Sequence, residues 1–240
     1  MDEITILIPS FNRRKFLPLI IKNLKSQTYP HNLLNVIIDD DGEEKLISSD
    51  QELKLIKDYI APIKLKYIND RKWRDIGIKR NQLVKDATTD IVCWMDSDDI
   101  YFPSYISHSH QELKKIMKKK RGCVGSNKMI FINCKDPEYT LYGLDCLDNK
   151  TLIHEATLMF TKKWFQASCK FSTSGVGEGK NLIKGSETNT ALTDINKIMA
   201  CLCHSENTVN KDFFMNNKRK LDTKITPEFK KILDSIFEKN

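Results

Sequence analysis

The chain has 240 residues, of which 40% are hydrophobic, and it contains only 9 Gly and 7 Pro. This length and apolar content can form one sizeable hydrophobic core, and they exclude a wholly disordered or collagen-like chain. Lys and Arg exceed Asp and Glu by 39 to 32, which gives a net charge of +7. The clearest basic runs, 118–121 and 218–220, carry no interleaved aromatic residues, so we expect no nucleic-acid partner.

No apolar stretch approaches the roughly 18 to 20 residues that cross a bilayer, so no integral membrane segment is expected. The first residues, Met1-Asp2-Glu3, lead into a strand-like segment without a basic region or a cleavage site, and we see no secretory signal. The seven cysteines include no Cys-x-x-Cys pair, which favours free thiols in a reducing compartment. We therefore expect a soluble, cytoplasmic protein.

The first hundred residues alternate between short β-branched runs and helical patterns. Strands are predicted at 4–8, 35–39, 63–68 and 90–95, and helices at 15–26, 50–60 and 76–84. Pro18 is compatible with its helix only in the first turn. Such alternation indicates an α/β fold, Rossmann-like, with a mostly parallel central sheet flanked by helices. Ligands bind such sheets beyond the carboxyl ends of the strands.

The pattern is less regular beyond residue 120. We predict a helix at 103–119, strand-like segments at 122–133 and 139–147, an apolar stretch at 152–161 and a short helix at 162–168. A Gly-rich loop at 174–179, a helix near 181–192, a strand at 195–203 and an amphipathic helix at 226–237 complete the chain. We expect one domain, 1–240, with an irregular second half from 121 to 240.

Three of the predicted strands end in polar residues that can bind a ligand. Ser10 and Asn12 follow the first strand, acidic residues 39–41 follow the second, and Asp96-Ser97-Asp98-Asp99 follows the fourth. Three adjacent carboxylates repel one another unless a cation lies among them, and oxygen ligands suit Mg²⁺ or Mn²⁺. The alternative is a solvated acidic loop in which Asp99 caps the next helix.

Four segments resemble, in order and spacing, the motifs of glycosyltransferase family 2, which has the GT-A fold. They are Ile8-Pro9-Ser10-Phe11-Asn12-Arg13, Ile38-Asp39-Asp40-Asp41-Gly42, Gly77-Ile78-Lys79-Arg80-Asn81-Gln82 and Trp94-Met95-Asp96-Ser97-Asp98-Asp99. The resemblance covers about residues 4 to 115 and continues more weakly to about 190. It implies a metal-dependent enzyme that transfers a sugar from a UDP- or GDP-sugar to a hydroxyl of a glycan or other acceptor, with inversion at the anomeric carbon.

The resemblance also assigns roles to individual residues. It places the donor nucleotide sugar against Pro9, Ser10, Asn12, Asp40, Asp41, Arg80, Asp96 and Ser97, and the ion, Mn²⁺ or Mg²⁺, on Asp96, Asp98 and His204. Two of these residues have an alternative role without ligand binding: Arg80 as a surface arginine on a helix, and His204 as a structural histidine.

The residue that deprotonates the acceptor hydroxyl is less clearly marked. Inverting members of the family usually carry an acidic pair in the loop that corresponds to Gly177-Glu178-Gly179, and the second residue of that pair is the base. Here the second position is Gly179. We therefore predict Glu178 as the catalytic base, with Glu155 and Asp194 as alternatives, and the stereochemical outcome stays open.

Two other functions remain in competition with sugar transfer. A nucleotidyltransferase would use a related sheet, but the Gly-rich basic phosphate loop expected after its first strand is replaced here by Pro9-Ser10-Phe11-Asn12. A nucleotide- or carbohydrate-binding module that has lost its base is suggested by Gly179. Such a module would bind a donor without consuming it.

Overall fold

The structure is a computed structural model that describes residues 1–117, 119–145, 153–173, 177–179, 181–207 and 219–238. Its strands are β1 (Ile4–Ser10), β2 (Leu34–Asp40), β3 (Lys64–Ile68), β4 (Ile91–Trp94), β5 (Ile100–Tyr101), β6 (Cys123–Gly125), β7 (Lys128–Asn133), β8 (Leu141–Asp145), β9 (Met159–Thr161), β10 (Thr190–Leu192), β11 (Met199–Cys203) and β12 (Arg219–Lys220). Its α-helices are α1 (Leu17–Ser26), α2 (Asp50–Ile60), α3 (Ile76–Asp86), α4 (Tyr105–Ile116), α5 (Lys162–Ala167) and α6 (Pro227–Ile236).

The central sheet has seven strands in the order β10-β6-β9-β4-β1-β2-β3. Strands β4, β1, β2 and β3 run parallel, β10 runs parallel to β6, and β9 is antiparallel to both of its neighbours. Every residue of β1 is buried, as expected for a strand covered on both faces. The predicted α/β fold with a largely parallel sheet is confirmed.

The register of the sheet brings the ends of the strands to one edge. Pro9 lies opposite Asp39 and Ser10 lies opposite Asp40 in the β1–β2 ladder, and Leu7 lies opposite Trp94 on the other side of β1. The loops that follow β1, β2 and β4 therefore leave the sheet side by side. This is the convergence predicted from the polar residues at the strand ends.

A second sheet of five strands, in the order β12-β8-β7-β11-β5, supports the acidic turn after β4. The two-residue strand β5 follows that turn directly and pairs antiparallel with β11, with Tyr101 opposite Met199. Strand β11 then leads to His204. The β5–β11 pairing thus connects the strand that follows residues 96–99 with the strand that precedes His204.

The helices largely follow the sequence pattern. Pro18 lies in the first turn of α1, where its missing N–H breaks no helical hydrogen bond. Ser49 caps α2 by accepting a hydrogen bond from the backbone N–H of Glu52. No helix in the described segments is both long and apolar enough to cross a membrane.

The predicted helix near 181–192 is wrong. The described part of this segment consists of turns, a short 3₁₀ helix at Glu187–Asn189 and strand β10. Gly185 has a left-handed φ of 80°. Strand β10, which begins at Thr190, pairs with β6. The left-handed glycine interrupts any helix here, and tertiary pairing overrides the local pattern. Within the Gly-rich loop, residues 174–176 lie outside the described residues.

Candidate active site

The carboxylates at the end of β2 are held by the protein itself. Asp40 is fully buried, and one of its oxygens, Oδ2, accepts hydrogen bonds from the backbone N–H of Leu46 at 2.7 Å and from the hydroxyl of Tyr67 at 2.6 Å. Asp39 is equally buried and pairs with Arg71 at 2.9 Å and Arg74 at 2.7 Å. These contacts fix the loop after β2 and neutralise its charge.

Asp41 forms an ion pair with Lys79, and both side chains are almost completely buried. Lys79 Nζ also donates to the carbonyl of Ser10 at 2.7 Å, and the second carboxylate oxygen of Asp41 accepts from the backbone N–H of Arg74 at 3.0 Å. Lys79 therefore joins the ends of β1 and β2 to helix α3. Burial outweighs the attraction of Asp41 and lowers the pKa of Lys79.

Asn12 brings the loops after β1 and β2 into direct contact. Its backbone has a left-handed φ of 52°, which Asn tolerates better than most residues, and its Oδ1 accepts from the backbone N–H of Glu44 at 3.1 Å. A Cβ atom on Gly42 would lie 2.6 Å from the same Oδ1 and closer still to the backbone nitrogen of Asn12. Glycine at position 42 is required by this close approach.

Arg80 lies at the centre of the candidate site and is only 4% exposed, so it is not the surface arginine of the alternative interpretation. Its Nη2 contacts both carboxylate oxygens of Asp96 at 3.0 and 3.1 Å, and its Nε donates to Glu178 at 3.3 Å. The guanidinium lies 4.8 Å from the ring centroid of Trp94. Burial alone would lower the pKa of Arg80, but the charges of Asp96 and Glu178 raise it, so the cation persists.

Two predicted donor-binding residues carry a buried polar atom without a hydrogen-bond partner in the described segments. They are Oγ of Ser10 and Nη1 of Arg80, and the same holds for Oγ of Ser109 and Nε1 of Trp94 and Trp164, which are not predicted donor contacts. An unsatisfied buried polar group costs about 1–3 kcal/mol, so such atoms are uncommon without a reason. Ser10 and Arg80 lie on elements that meet at the carboxyl edge of the sheet, where a ligand with polar groups can satisfy them.

Asp98 and His204 meet beside the loop after β1. The two residues are joined by Oδ2 and Nε2 at 3.3 Å, and Arg13 Nε donates to the same carboxylate oxygen at 3.2 Å. The His204 ring packs against Phe16, with centroids 5.1 Å apart, and against Phe237, at 5.8 Å. Packing therefore fixes the imidazole next to the carboxylate.

The predicted set of three metal ligands is not assembled. Among the described residues, no group of three or more His, Cys, Asp or Glu side chains is placed to hold a metal ion. The reason is that Arg80 engages both oxygens of Asp96, whereas Asp98 is paired with Arg13 and His204. The protein's own cations thus relieve the repulsion from which a metal was predicted.

Asp98 and His204 nevertheless fit a hard divalent ion as two ligands of a larger set. A carboxylate oxygen and an imidazole nitrogen already lie 3.3 Å apart, and Mg²⁺ or Mn²⁺ commonly completes its shell with substrate phosphates and water.

Asp99 does not cap the next helix, contrary to the alternative interpretation of the acidic turn. Its carboxylate instead accepts from the backbone N–H of Leu202 at 2.9 Å, in β11.

The loop with Glu178 is held against the start of helix α3. Ser172 donates its backbone N–H to the carbonyl of Glu178 at 2.9 Å. A Cβ atom on Gly77 would lie 3.0 Å from the carbonyl carbon of Ser172 and overlap with its oxygen. Glycine at position 77 thus lets α3 approach the loop closely enough for Arg80 to reach Glu178.

The alternative base candidates occupy different surroundings. Asp194 is exposed and accepts hydrogen bonds from the backbone and side chain of Asn196, so it acts as a local turn cap. Glu155 lies close to Gly179, and burial raises the pKa of its carboxyl group, while nearby Arg80 acts in the opposite direction.

Two predicted donor contacts remain. Pro9 is buried within β1, and Ser97, which lies between Asp96 and Asp98 in the sequence, is also buried.

Sequence reasoning missed most of the cations of the site: Arg13, Arg71, Arg74 and Lys79. Two signals were available. Arg13 directly follows Asn12, and α3 carries consecutive basic residues where an ordinary amphipathic helix would place apolar residues toward the sheet. A charged residue on the buried face of a helix indicates a buried partner.

Comparison with known proteins gives the same family as the sequence motifs. A family model described as "Glycosyl transferase family 2" matches residues 5–135. A curated relative, the poly(ribitol-phosphate) β-N-acetylglucosaminyltransferase TarS of Staphylococcus aureus strain Mu50, is 27% identical over 100 residues, which cover 41% of this chain and 17% of that protein. The chain thus matches under a fifth of the length of this relative.

Solved structures extend the similarity over nearly the whole chain. S. aureus TarS 1–349 in complex with UDP-GlcNAc superposes with a TM-score of 0.59 at 15% identity, covering 100% of this chain and 74% of the other. A mannosyltransferase from Pyrobaculum calidifontis in complex with GDP-Man and Mn²⁺ gives 0.58 at 15% identity, covering 97% and 68%. At this identity the superpositions establish a shared GT-A fold.

Proposed function

The chain belongs to glycosyl transferase family 2, and we propose that it transfers a sugar from a UDP- or GDP-sugar to an acceptor hydroxyl, with inversion and with a bound Mn²⁺ or Mg²⁺. One observation carries the proposal. Ser10 Oγ and Arg80 Nη1 are buried and unpaired within the described segments, and both belong to the predicted donor site. A nucleotide sugar supplies the oxygen atoms that these groups lack.

The charges around the site suit a diphosphate. The guanidinium groups of Arg13 and Arg80 contact Asp98 and Asp96, in the acidic turn after β4. A guanidinium is well matched to phosphate oxygens because it presents several N–H groups in one plane. The UDP, UDP-GlcNAc and GDP-Man found in the structural neighbours support a donor of this class.

Asp98 and His204 are the residues that would hold the metal ion. A divalent cation on the donor diphosphate stabilises the negative charge that develops on the leaving group. The Mn²⁺ of the mannosyltransferase complex supports this choice of ion. Arg13 contacts Oδ2 of Asp98 at 3.2 Å and holds it in place next to His204.

The remaining requirement is a group that accepts the proton of the attacking hydroxyl. Direct displacement at the anomeric carbon needs a carboxylate on the side opposite the leaving diphosphate. Glu178, predicted from the sequence, and Glu155 are the carboxylates near Arg80 that are available for this role. We propose that residues 121–240, which contain both of them, form the acceptor side of a single domain.

The test compares two Asp→Asn substitutions at opposite ends of β4. Asp98→Asn removes the proposed metal ligand, and Asp90→Asn makes the same chemical change at an exposed residue at the other end of the strand. Wild-type protein is incubated with UDP- and GDP-sugars with and without Mn²⁺, and release of nucleoside diphosphate is followed together with thermal stability. A ligand that binds only the folded state raises the melting temperature.

We expect wild type and Asp90→Asn to release nucleoside diphosphate in a metal-dependent way, and Asp98→Asn to keep its fold but lose turnover. Equal activity of Asp98→Asn and wild type would refute the metal assignment. Donor binding without release would instead favour a binding module. Release of pyrophosphate from a nucleoside triphosphate would favour a nucleotidyltransferase.

A further inference from the structure

Gly179 lies against the carboxyl group of Glu155. A Cβ atom built on Gly179 would be 2.5 Å from Cδ of Glu155 and would overlap more severely with its Cγ and Oε1. The left-handed φ values in the described segments include those of Gly177 and Gly185 but not that of Gly179. Glycine at 179 is therefore required by the neighbouring glutamate and not by its own backbone conformation. The space that a side chain at 179 would enter is already occupied by a carboxylate.

Glu155 is presented by a rigid turn. The short 3₁₀ helix Glu155–Thr157 precedes β9, and the hydroxyl of Thr157 donates to the carbonyl of His154 at 2.7 Å. Tyr101 links this turn to the donor site, because its hydroxyl donates to the carbonyl of Ala156 at 3.0 Å and accepts from the backbone N–H of Asp96 at 2.8 Å. The Glu155 turn and the acidic turn after β4 thus share one hydrogen-bonded bridge.

The two carboxylates near Arg80 differ in their contacts. Glu178 pairs with Arg80 Nε at 3.3 Å, and no direct contact with Arg80 is described for Glu155. Glu155 is largely desolvated, and this burial raises its pKa, with a further contribution from Glu178, while Arg80 acts in the opposite direction. A more basic carboxylate is the better proton acceptor at neutral pH, provided that it is ionised when the acceptor binds.

We infer that Glu155 accepts the proton of the attacking hydroxyl and that it replaces a carboxylate at position 179, whereas Glu178 is a positioning residue for Arg80. The inference rests on the proposed glycosyl transfer. The acceptor oxygen forms a bond to the anomeric carbon, and the bond from that carbon to the diphosphate oxygen breaks with its electron pair. The hydroxyl proton passes to a carboxylate oxygen of Glu155, and the nucleoside diphosphate leaves.

The experiment uses water as the acceptor, so that the natural acceptor need not be known. Release of nucleoside diphosphate from the donor is measured for wild type, Glu155→Gln and Glu178→Gln, and donor binding is followed by thermal shift in each. General-base catalysis contributes about 100-fold or more, so we expect Glu155→Gln to lose about 100-fold in kcat while its donor-induced thermal shift is unchanged. Glu178→Gln is expected to raise KM mainly, because it weakens the contact at Nε that orients Arg80, while the pairing of Arg80 with Asp96 remains.

A carboxylate swap provides the second arm. Gly179→Asp alone is expected to disrupt the loop, because the new side chain collides with Glu155. Glu155→Ala removes the colliding atoms, so the double variant Glu155→Ala/Gly179→Asp is expected to recover about tenfold over Glu155→Ala. Recovery would not follow from a purely structural role of Glu155, because the new carboxylate is attached to a different segment of the chain.

The outcomes separate this inference from the proposed function. If wild type binds donors but releases no nucleoside diphosphate, the glycosyl transfer fails and the inference fails with it. If wild type is active and Glu155→Gln keeps its kcat, or if Glu178→Gln alone shows the large loss in kcat, the inference is overturned and glycosyl transfer stands. A folded double variant no more active than Glu155→Ala would refute the replacement of position 179 by Glu155.

Discussion

Replacing Lys79 by Met tests whether the buried Lys79–Asp41 pair holds the donor edge together. The substitution keeps an unbranched apolar stem of nearly the same length and removes the charged amine. It leaves Asp41 buried without its main cation and deprives the Ser10 carbonyl of a hydrogen bond of 2.7 Å. Arg74 still donates its backbone N–H to Asp41 at 3.0 Å and places a guanidinium nitrogen 3.6 Å away.

The expected loss follows from the burial of both partners. Removing one member of a buried ion pair costs about 3–5 kcal/mol, and because Arg74 compensates in part we expect the lower end, about 3 kcal/mol. For a domain of this size each kcal/mol lowers the melting temperature by about 2–4 °C, so the expected decrease is about 6–12 °C. The double variant Lys79→Met/Asp41→Asn leaves no uncompensated charge, and we expect it to recover more than half of the loss.

Unfolding in guanidinium chloride, followed by tryptophan fluorescence, measures these differences in the free energy of unfolding, since Trp94 and Trp164 are almost fully buried. The matched control is Lys85→Met, an exposed lysine on the same helix α3. A loss below about 1 kcal/mol for Lys79→Met, or one no larger than that of Lys85→Met, would refute the reasoning. So would a double variant less stable than either single variant.

Three further predictions concern close approaches and one ion pair. Gly42→Ala would overlap with Asn12, and we expect it to weaken donor binding in thermal-shift titrations, whereas unchanged binding would contradict the loop contact. Gly77→Ala would overlap with the carbonyl of Ser172, and we expect it to lower kcat/KM by displacing the loop that carries Glu178 and thereby its contact with Arg80; an unaltered value would contradict this. Glu52 pairs with Arg14 at 2.7 and 2.9 Å, and these hydrogen bonds lower the pKa of Glu52 to about 2. Its contribution to stability is therefore full above about pH 4.5 and disappears as the pH falls toward 2. We expect Glu52→Gln to lose about 1 kcal/mol at pH 7 and nothing at pH 2 in urea unfolding, and a loss of equal size at both values would exclude the ion pair as its cause.

Several elements could be predicted because their signals are local. Helix α2 has the predicted bounds, since Ser49 caps it and its apolar residues recur at helical spacing. The prediction at 122–133 covered two strands, β6 and β7, because the turn between them depends on a distant contact, the hydrogen bond from Ser126 N to Thr157 Oγ1 at 2.8 Å. Strand β5 is two residues long and pairs with β11, so no pattern within it could have indicated it.

The sequence by itself determined the α/β alternation, the order of the motifs and the edge at which their polar residues meet. Each of these depends on residue type and short-range spacing. Only the tertiary structure decided how the carboxylates are used: Asp98 pairs with Arg13, 85 positions away, and Glu178 with Arg80, 98 positions away. It also brought Glu155 into the space beside Gly179. Buried charges are stable only beside their partners, and packing between distant segments chooses those partners.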